Sequence, residues 1–286
     1  MRLPDFIWLN GDKIYPDINK SLPTDILLDR ATSFGDGVFE TMLVKNSKIL
    51  FLELHLNRLF EGIKLLELDY DIKQIKNELN LSLSHLSPKL EYVLKFMVSR
   101  GGSIFGYGSK NIKSNSFIVA DKIQLSNQSS IKLIRCNHKL SYMPCLSGLK
   151  HCNRLDQVIA KREVDFANVD DGLMLNQDGN VVETTSSNIF IFEGDKILTP
   201  QLDDCGVKGV TREILIKKII PHLGLNISEQ VISFERFLKC DGCFVTNSIQ
   251  GIRSIEQIRF SNQIYSFPKN AIFRDIVSSY EALLVT

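Results

Sequence analysis

Four polar runs interrupt apolar stretches of this 286-residue chain, and each holds residue types that could do chemistry. In GLKHCNR (148–154), Lys150 stands just ahead of a helical pattern that begins near Leu155. A lysine desolvated against a helix and strands gives up its proton readily, as a covalent amine catalyst must; an exposed loop lysine is the plain alternative. In VVETTSSNIF (181–190), the carboxylate of Glu183, four hydroxyl residues and an amide lie between two apolar segments. Such hydrogen-bonding capacity beside a core needs partners, unless the run is a surface turn. GVKGVTR (206–212) is a glycine-containing loop entering a helix near Thr211. Backbone N–H groups and a hydroxyl at a helix start suit a phosphate, although an ordinary capped start reads the same way. The loop carries neither GxxxxGK[ST] nor GxGxxG. In LHLNRL (54–59), Arg58 lies off the apolar stripe of its helix, where a guanidinium can pair with a phosphate or be solvated.

The elements that must position these runs follow from periodicity. Strand pairs are expected over 6–9 and 13–15 about Asn10-Gly11, and over 38–44 and 49–51 about the polar turn 45–48. From residue 54 the period becomes helical, with Leu56, Leu59, Phe60, Ile63 and Leu66 on one face, and a second helix is expected over 71–86. Strands are expected over 92–98 and 116–120. The polar, patternless stretch 121–130 separates a first domain, 1–121, from a second, 131–286, with a linker over 122–130. In the second, 131–134, 172–175, 181–182, 188–192 and 242–246 read as strands, and 156–168 and 211–223 as helices. The fold class is therefore α/β (α+β): a small N-terminal α/β domain and a larger strand-rich C-terminal one.

Composition narrows the classes of function. Lys and Arg number 34 against 33 Asp and Glu, so nothing favours nucleic acid or an anionic membrane as partner. No apolar run reaches the ~18 residues of a membrane span, and the polar N-terminus lacks the pattern of a secretion signal. Six cysteines without a signal read as a reduced, cytoplasmic protein. Cys240 and Cys243 have the spacing of half a zinc site, but with no second pair they are expected to flank a turn at Asp241-Gly242, and no metal is expected.

The order of these motifs resembles the fold-type IV pyridoxal-phosphate enzymes, a family of branched-chain and D-amino-acid aminotransferases and aminodeoxychorismate lyases. The resemblance runs from DRATSFGDGVFET (29–41) through HLNRL (55–59), Lys150 and Glu183 to TNSIQGI (246–252). It implies that Lys150 carries pyridoxal 5'-phosphate as a Schiff base and acts as the catalytic acid and base. Glu183 would pair with the pyridine nitrogen, and Arg58, Val210, Thr211 and Ser248 would seat the phosphate. It also implies a homodimer.

Within that family, KHCNRLDQ (150–157), PQLDDCGVKG (200–209) and NSIQGI (247–252) are similar to the lyase branch. That branch converts 4-amino-4-deoxychorismate to 4-aminobenzoate and pyruvate, a step towards folate. A D-amino-acid or branched-chain aminotransferase is the alternative on the same scaffold, and a non-catalytic binding protein a further one. In some lyases an arginine precedes Gly-Tyr in the loop equivalent to 100–108; here the position is Phe105. Arg100 and Arg154 are candidate partners for substrate carboxylates, with Lys110 a further cation, and Tyr107 is a candidate pocket wall.

Overall fold

The structure is a computed structural model that describes residues 4–14, 28–102 and 106–285. Phe105, and Tyr15 of the first expected strand pair, lie outside these. Contacts divide the chain into two compact units, Met1–Leu125 with Leu149–Arg154, and Ser126–Gly148 with Leu155–Thr286. No helix among the described residues is long and apolar enough to cross a membrane.

The first unit is built on an antiparallel sheet in the order β2-β1-β6-β5-β3-β4. Its elements are β1 (Phe6–Leu9), β2 (Asp12–Ile14), α1 (Arg30–Phe34), β3 (Gly37–Lys45), β4 (Lys48–Ile49), α2 (Leu52–Leu65), α3 (Ile72–Ser84), β5 (Tyr92–Ser99) and β6 (Asn115–Lys122). Alternate residues of β5 and β6 are buried, as expected where one sheet face packs on helices. Trp8, Met42, Phe96, Leu56, Leu59, Ile75 and Leu79 fill the core. The buried face of α2 differs from the expected stripe. It comprises His55, Leu56, Leu59, Gly62 and Ile63, whereas Phe60 is exposed. The cause is the close approach of β3: a Cβ on Gly62 would lie 2.7 Å from Val38 Cγ1, so only glycine lets this face meet the strand.

The second unit contains β7 (Ser130–Arg135), α4 (Leu155–Ala167), β8 (Asp171–Leu175), β9 (Val181–Thr184), β10 (Asn188–Glu193), β11 (Lys196–Pro200), α5 (Val210–Ile214), α6 (Ile220–His222), β12 (Asn226–Gln230), α7 (Phe234–Leu238), β13 (Cys243–Asn247), β14 (Gly251–Phe260), β15 (Gln263–Ser266) and α8 (Ile272–Val285). Its sheet runs β12-β11-β10-β13-β14-β7-β8-β9, with β15 on β14. The pairing of Asn188 with Glu183 joins β10 back to β9 and closes a ring of strands. Strands β8 and β9 are buried along their whole length, which explains their near-continuous apolar runs. A π-helical turn, Leu215–Ile219, links α5 to α6. It lies just ahead of Pro221, which has no N–H for the regular ladder. Periodicity had suggested no element beyond 246; the structure adds β14, β15 and α8 there. Cys240 and Cys243 are buried at the α7–β13 turn, where Gly242 has φ +132°.

Candidate active site

In the first unit one strand organises the chemistry. The backbone at 150–152 runs antiparallel to the start of β3: Phe39 N–H donates to the Lys150 carbonyl (2.9 Å), Val38 bridges His151, and Cys152 N–H donates to the Gly37 carbonyl (2.8 Å). Lys150 Nζ thereby lies 4.6 Å from the centre of the Phe39 ring. A second ammonium, that of Lys95 on β5, lies 4.5 Å from the same centre. Each ammonium gains a cation–π attraction to the ring, which partly offsets the repulsion between the two charges. Burial pushes the neighbouring Cys152 thiol up to about 11 despite Lys95 and Arg154 nearby, so it stays protonated at neutral pH and is no nucleophile there.

The next residue of β3, Glu40, faces α2, as strand alternation requires. Its carboxylate is 1 % exposed and accepts three short hydrogen bonds. Arg58 Nε donates to Oε1 at 2.7 Å, Arg58 Nη2 to Oε2 at 2.6 Å, and His55 Nδ1 lies 2.6 Å from Oε2. His55 and Arg58 are one helical turn apart on α2, so both reach the same point. Burial opposes ionisation of Glu40, yet Arg58 and His55 outweigh it and hold the carboxyl down at about 2. The carboxylate can then only accept, so Nδ1 is the donating nitrogen of His55. Arg58 is thus neither a solvated charge nor loosely placed.

In the second unit, Glu183 on β9, Asn188 on β10 and Thr246 on β13 are cross-strand neighbours, and so project from one sheet face. Glu183 is 5 % exposed; Val207 N–H donates to its Oε2 (2.9 Å) and Gln157 Nε2 to its Oε1 (3.3 Å). Asn188 ties the same loop down, donating to the Val207 carbonyl (2.7 Å) and accepting from Gly209 N–H (3.1 Å). A Cβ on Gly209 would fall 2.1 Å from Asn188 Oδ1. Gly209 is the N-cap of α5 and supplies no side chain to its first turn. Thr211 Oγ1 and Thr246 Oγ1 are buried without a hydrogen bond of normal geometry, although the Tyr280 hydroxyl lies close enough to Thr211 to feel it. Arg212 points the other way, to Glu229 Oε2 (2.6 Å), the Pro200 carbonyl (3.0 Å) and Thr199 Oγ1 (3.3 Å), and so fixes how the helix starts. Ser248 is half-buried in the turn after β13, which Asn247 Oδ1 braces by accepting from Ile249 and Gln250 N–H.

The hydroxyl run after Glu183 finds its partner in Asp171. This buried carboxylate accepts from Thr184 Oγ1 (2.7 Å), Ser186 Oγ (2.9 Å) and Thr185 Oγ1. The run therefore braces the turn beside Glu183 from within, with Ser186 at its exposed tip. Of the cations considered for substrate, Arg100 is committed elsewhere: its Nε pairs with Asp36 (2.8 Å), and its Nη atoms cap the carbonyls of Leu66 and Glu67 at the end of α2. Arg154 donates to the carbonyls of His151 (2.8 Å) and Leu149 (2.7 Å), clamping the backbone on either side of Lys150. Tyr107 is exposed and tilted over Phe34 at 5.4 Å, in a loop whose carbonyls at 106–108 accept from Arg30. Nothing in the sequence assigns a role to Lys95 or Asp171, and Asn188 counts there only as an amide in need of partners. Lys95 stands in a strand pattern and is solvent-exposed, so only strand pairing reveals its neighbour.

The chain belongs to the class IV amino-transferase family, whose profile matches residues 37–258. It is 26 % identical to the aminodeoxychorismate lyase of Vibrio harveyi over 86 % of this chain and 92 % of that one. It is also 26 % identical to a putative branched-chain-amino-acid aminotransferase of Methanocaldococcus jannaschii, over 81 % of this chain and 82 % of the other. Among solved structures, the 4-amino-4-deoxychorismate lyase of Pseudomonas aeruginosa superposes with a TM-score of 0.85 at 28 % identity, covering 96 % of this chain and 98 % of that one.

This is a family of pyridoxal-phosphate enzymes. The side chains here fit that cofactor. Within the second unit, the buried Thr211 and Thr246 hydroxyls and the backbone N–H groups at the start of α5 have the chemistry a phosphate would need, and Glu183 that of a partner for a cationic ring nitrogen; within the first unit, Lys150 is an amine beside an aromatic ring.

Proposed function

We propose that this protein is a pyridoxal-phosphate-dependent lyase converting 4-amino-4-deoxychorismate to 4-aminobenzoate and pyruvate, and that it works as a homodimer in folate synthesis. The observation that carries the reading is the pair of ammonium groups, Lys150 and Lys95, over the Phe39 ring. A dicarboxylate substrate needs a cation beside the reacting lysine, and Lys95 is one that this chain provides. The lyase relatives and the KHCNRLDQ run support the same reading.

When bound, the cofactor supplies an electron-withdrawing ring that accepts charge from the substrate carbon next to nitrogen. Lys150 Nζ would hold it at rest and, once freed by exchange with the substrate amine, would take the proton from the amine-bearing carbon of the substrate and return one to the departing enolpyruvyl fragment. Glu183 would hold the proton on the pyridine nitrogen. Arg58, the N–H groups of Val210 and Thr211, and the Thr211 and Ser248 hydroxyls would hold the phosphate. Arg154 keeps the Lys150 backbone in place through the carbonyls at 149 and 151, and the Lys95 ammonium meets a substrate carboxylate.

The test is incubation of the pure protein with aminodeoxychorismate while following fluorescent 4-aminobenzoate. Steady product without added keto acid is the expected outcome. No product, together with keto-acid-dependent turnover of alanine or a branched-chain amino acid, would identify an aminotransferase instead. That second reading has the Methanocaldococcus jannaschii relative in its favour.

A further inference from the structure

We propose that Glu40 is a positioning residue for cofactor binding: with His55, it holds the Arg58 guanidinium in the orientation that recognises a phosphate. This rests on the assignment of Arg58 to the phosphate seat. The geometry carries it. Arg58 lies largely out of solvent, and its Nε and Nη2 grip both oxygens of a carboxylate that is itself 1 % exposed. A bidentate fork fixes the plane of a guanidinium as well as its place, which a single hydrogen bond cannot do. His55 Nδ1 at 2.6 Å then locks the Glu40 carboxylate from a second side.

A count of charges argues the opposite effect: an anion beside Arg58 should weaken its attraction for phosphate. A carboxylate in this place is therefore best explained by preorganisation, because a guanidinium already ordered loses less freedom on binding than a mobile one. The two accounts predict opposite signs.

The test compares equilibrium binding of pyridoxal phosphate with that of phosphate-free pyridoxal to the full-length apoprotein, with apoprotein melting recorded separately. Glu40→Gln is expected to weaken pyridoxal phosphate roughly tenfold, the scale of one charge-assisted hydrogen bond, and to leave pyridoxal within about twofold. In an Arg58→Ala background the same change should have no further effect on the ratio of the two affinities. Equal weakening of both ligands, or tighter binding of pyridoxal phosphate, would overturn the proposal. If Glu40→Gln does not fold, Glu40→Asp decides: it keeps the charge but withdraws the fork by one methylene, and an unchanged ratio would overturn the proposal. An Arg58→Ala protein that keeps its full preference for the phosphorylated ligand removes the seat assignment itself, a failure seen independently of Glu40.

Discussion

The two units prepare their polar groups in opposite ways. Around Arg58 the first unit supplies its own counter-charge: Glu40, Arg58 and His55 satisfy one another in the core, and His55 Nε2 is the atom of that cluster left buried without a partner. Around Glu183 the second unit builds a rigid frame from Asn188, Val207 and Asp171, but seals Thr211 Oγ1 and Thr246 Oγ1 away from solvent without good hydrogen bonds. A paired buried charge stabilises the apoprotein only while both partners remain, whereas an unsatisfied hydroxyl costs stability until something meets it. The first arrangement is paired within itself, while the second leaves buried hydroxyls without partners.

The contrast can be broken in several ways. The largest effect is expected for Lys150→Ala, which should cut turnover by about 10²–10⁴-fold, the contribution of a positioned acid–base group. The substitution should also remove a borohydride-sensitive absorbance band of the reconstituted protein, while its circular dichroism stays native.

Glu40→Gln should lower apoprotein stability by about 3–5 kcal/mol in denaturant melts, since Arg58 loses its buried partner. Acid should imitate this. The folded carboxyl titrates at about 2 against an ordinary 4.5, so its contribution is complete above 4.5 and lost as pH falls towards 2. The shift is worth about 3 kcal/mol, and a urea series between pH 6 and pH 2 should show that loss for the parent chain but not for Glu40→Gln. Equal acid sensitivity of the two proteins would mean that Glu40 is not the group held ionised.

Gly209→Ala tests the frame of the second unit. Its methyl would fall 2.1 Å from Asn188 Oδ1, so the loop must move, at about 1–3 kcal/mol of stability as judged by thermal melting. The smallest effect has the opposite sign. Thr246→Val, nearly isosteric, should raise apoprotein stability by about 1 kcal/mol, because it removes a buried hydroxyl that has no partner. A loss of stability instead would show that Thr246 is satisfied in the apoprotein and would erase the contrast between the units.

Much of this was legible in the sequence. The period change at residue 54, the strand runs of both units and the helix after Lys150 follow from where apolar residues recur, because burial of one face is a local pattern. The order of Arg58, Lys150, Glu183 and Thr211 pointed to one family, whose profile spans most of the chain. Composition argued neither for nor against any particular substrate.

Tertiary structure decided what each charge touches. Arg100 and Arg154 look alike in sequence as cations that could meet a substrate carboxylate, yet one caps α2 and the other clamps the Lys150 backbone. Lys95 is solvent-exposed, as its place in the strand pattern suggests, and only the pairing of β5 with β3 shows that its ammonium also lies near Phe39. The hydroxyl run after Glu183 reads as a surface turn or as groups in want of partners until Asp171 is found to accept from three of them. The physical reason is the same each time. Periodicity reports which face of an element is buried, but a hydrogen bond or ion pair depends on contacts of large sequence separation, and these exist only once strand register and helix packing are set.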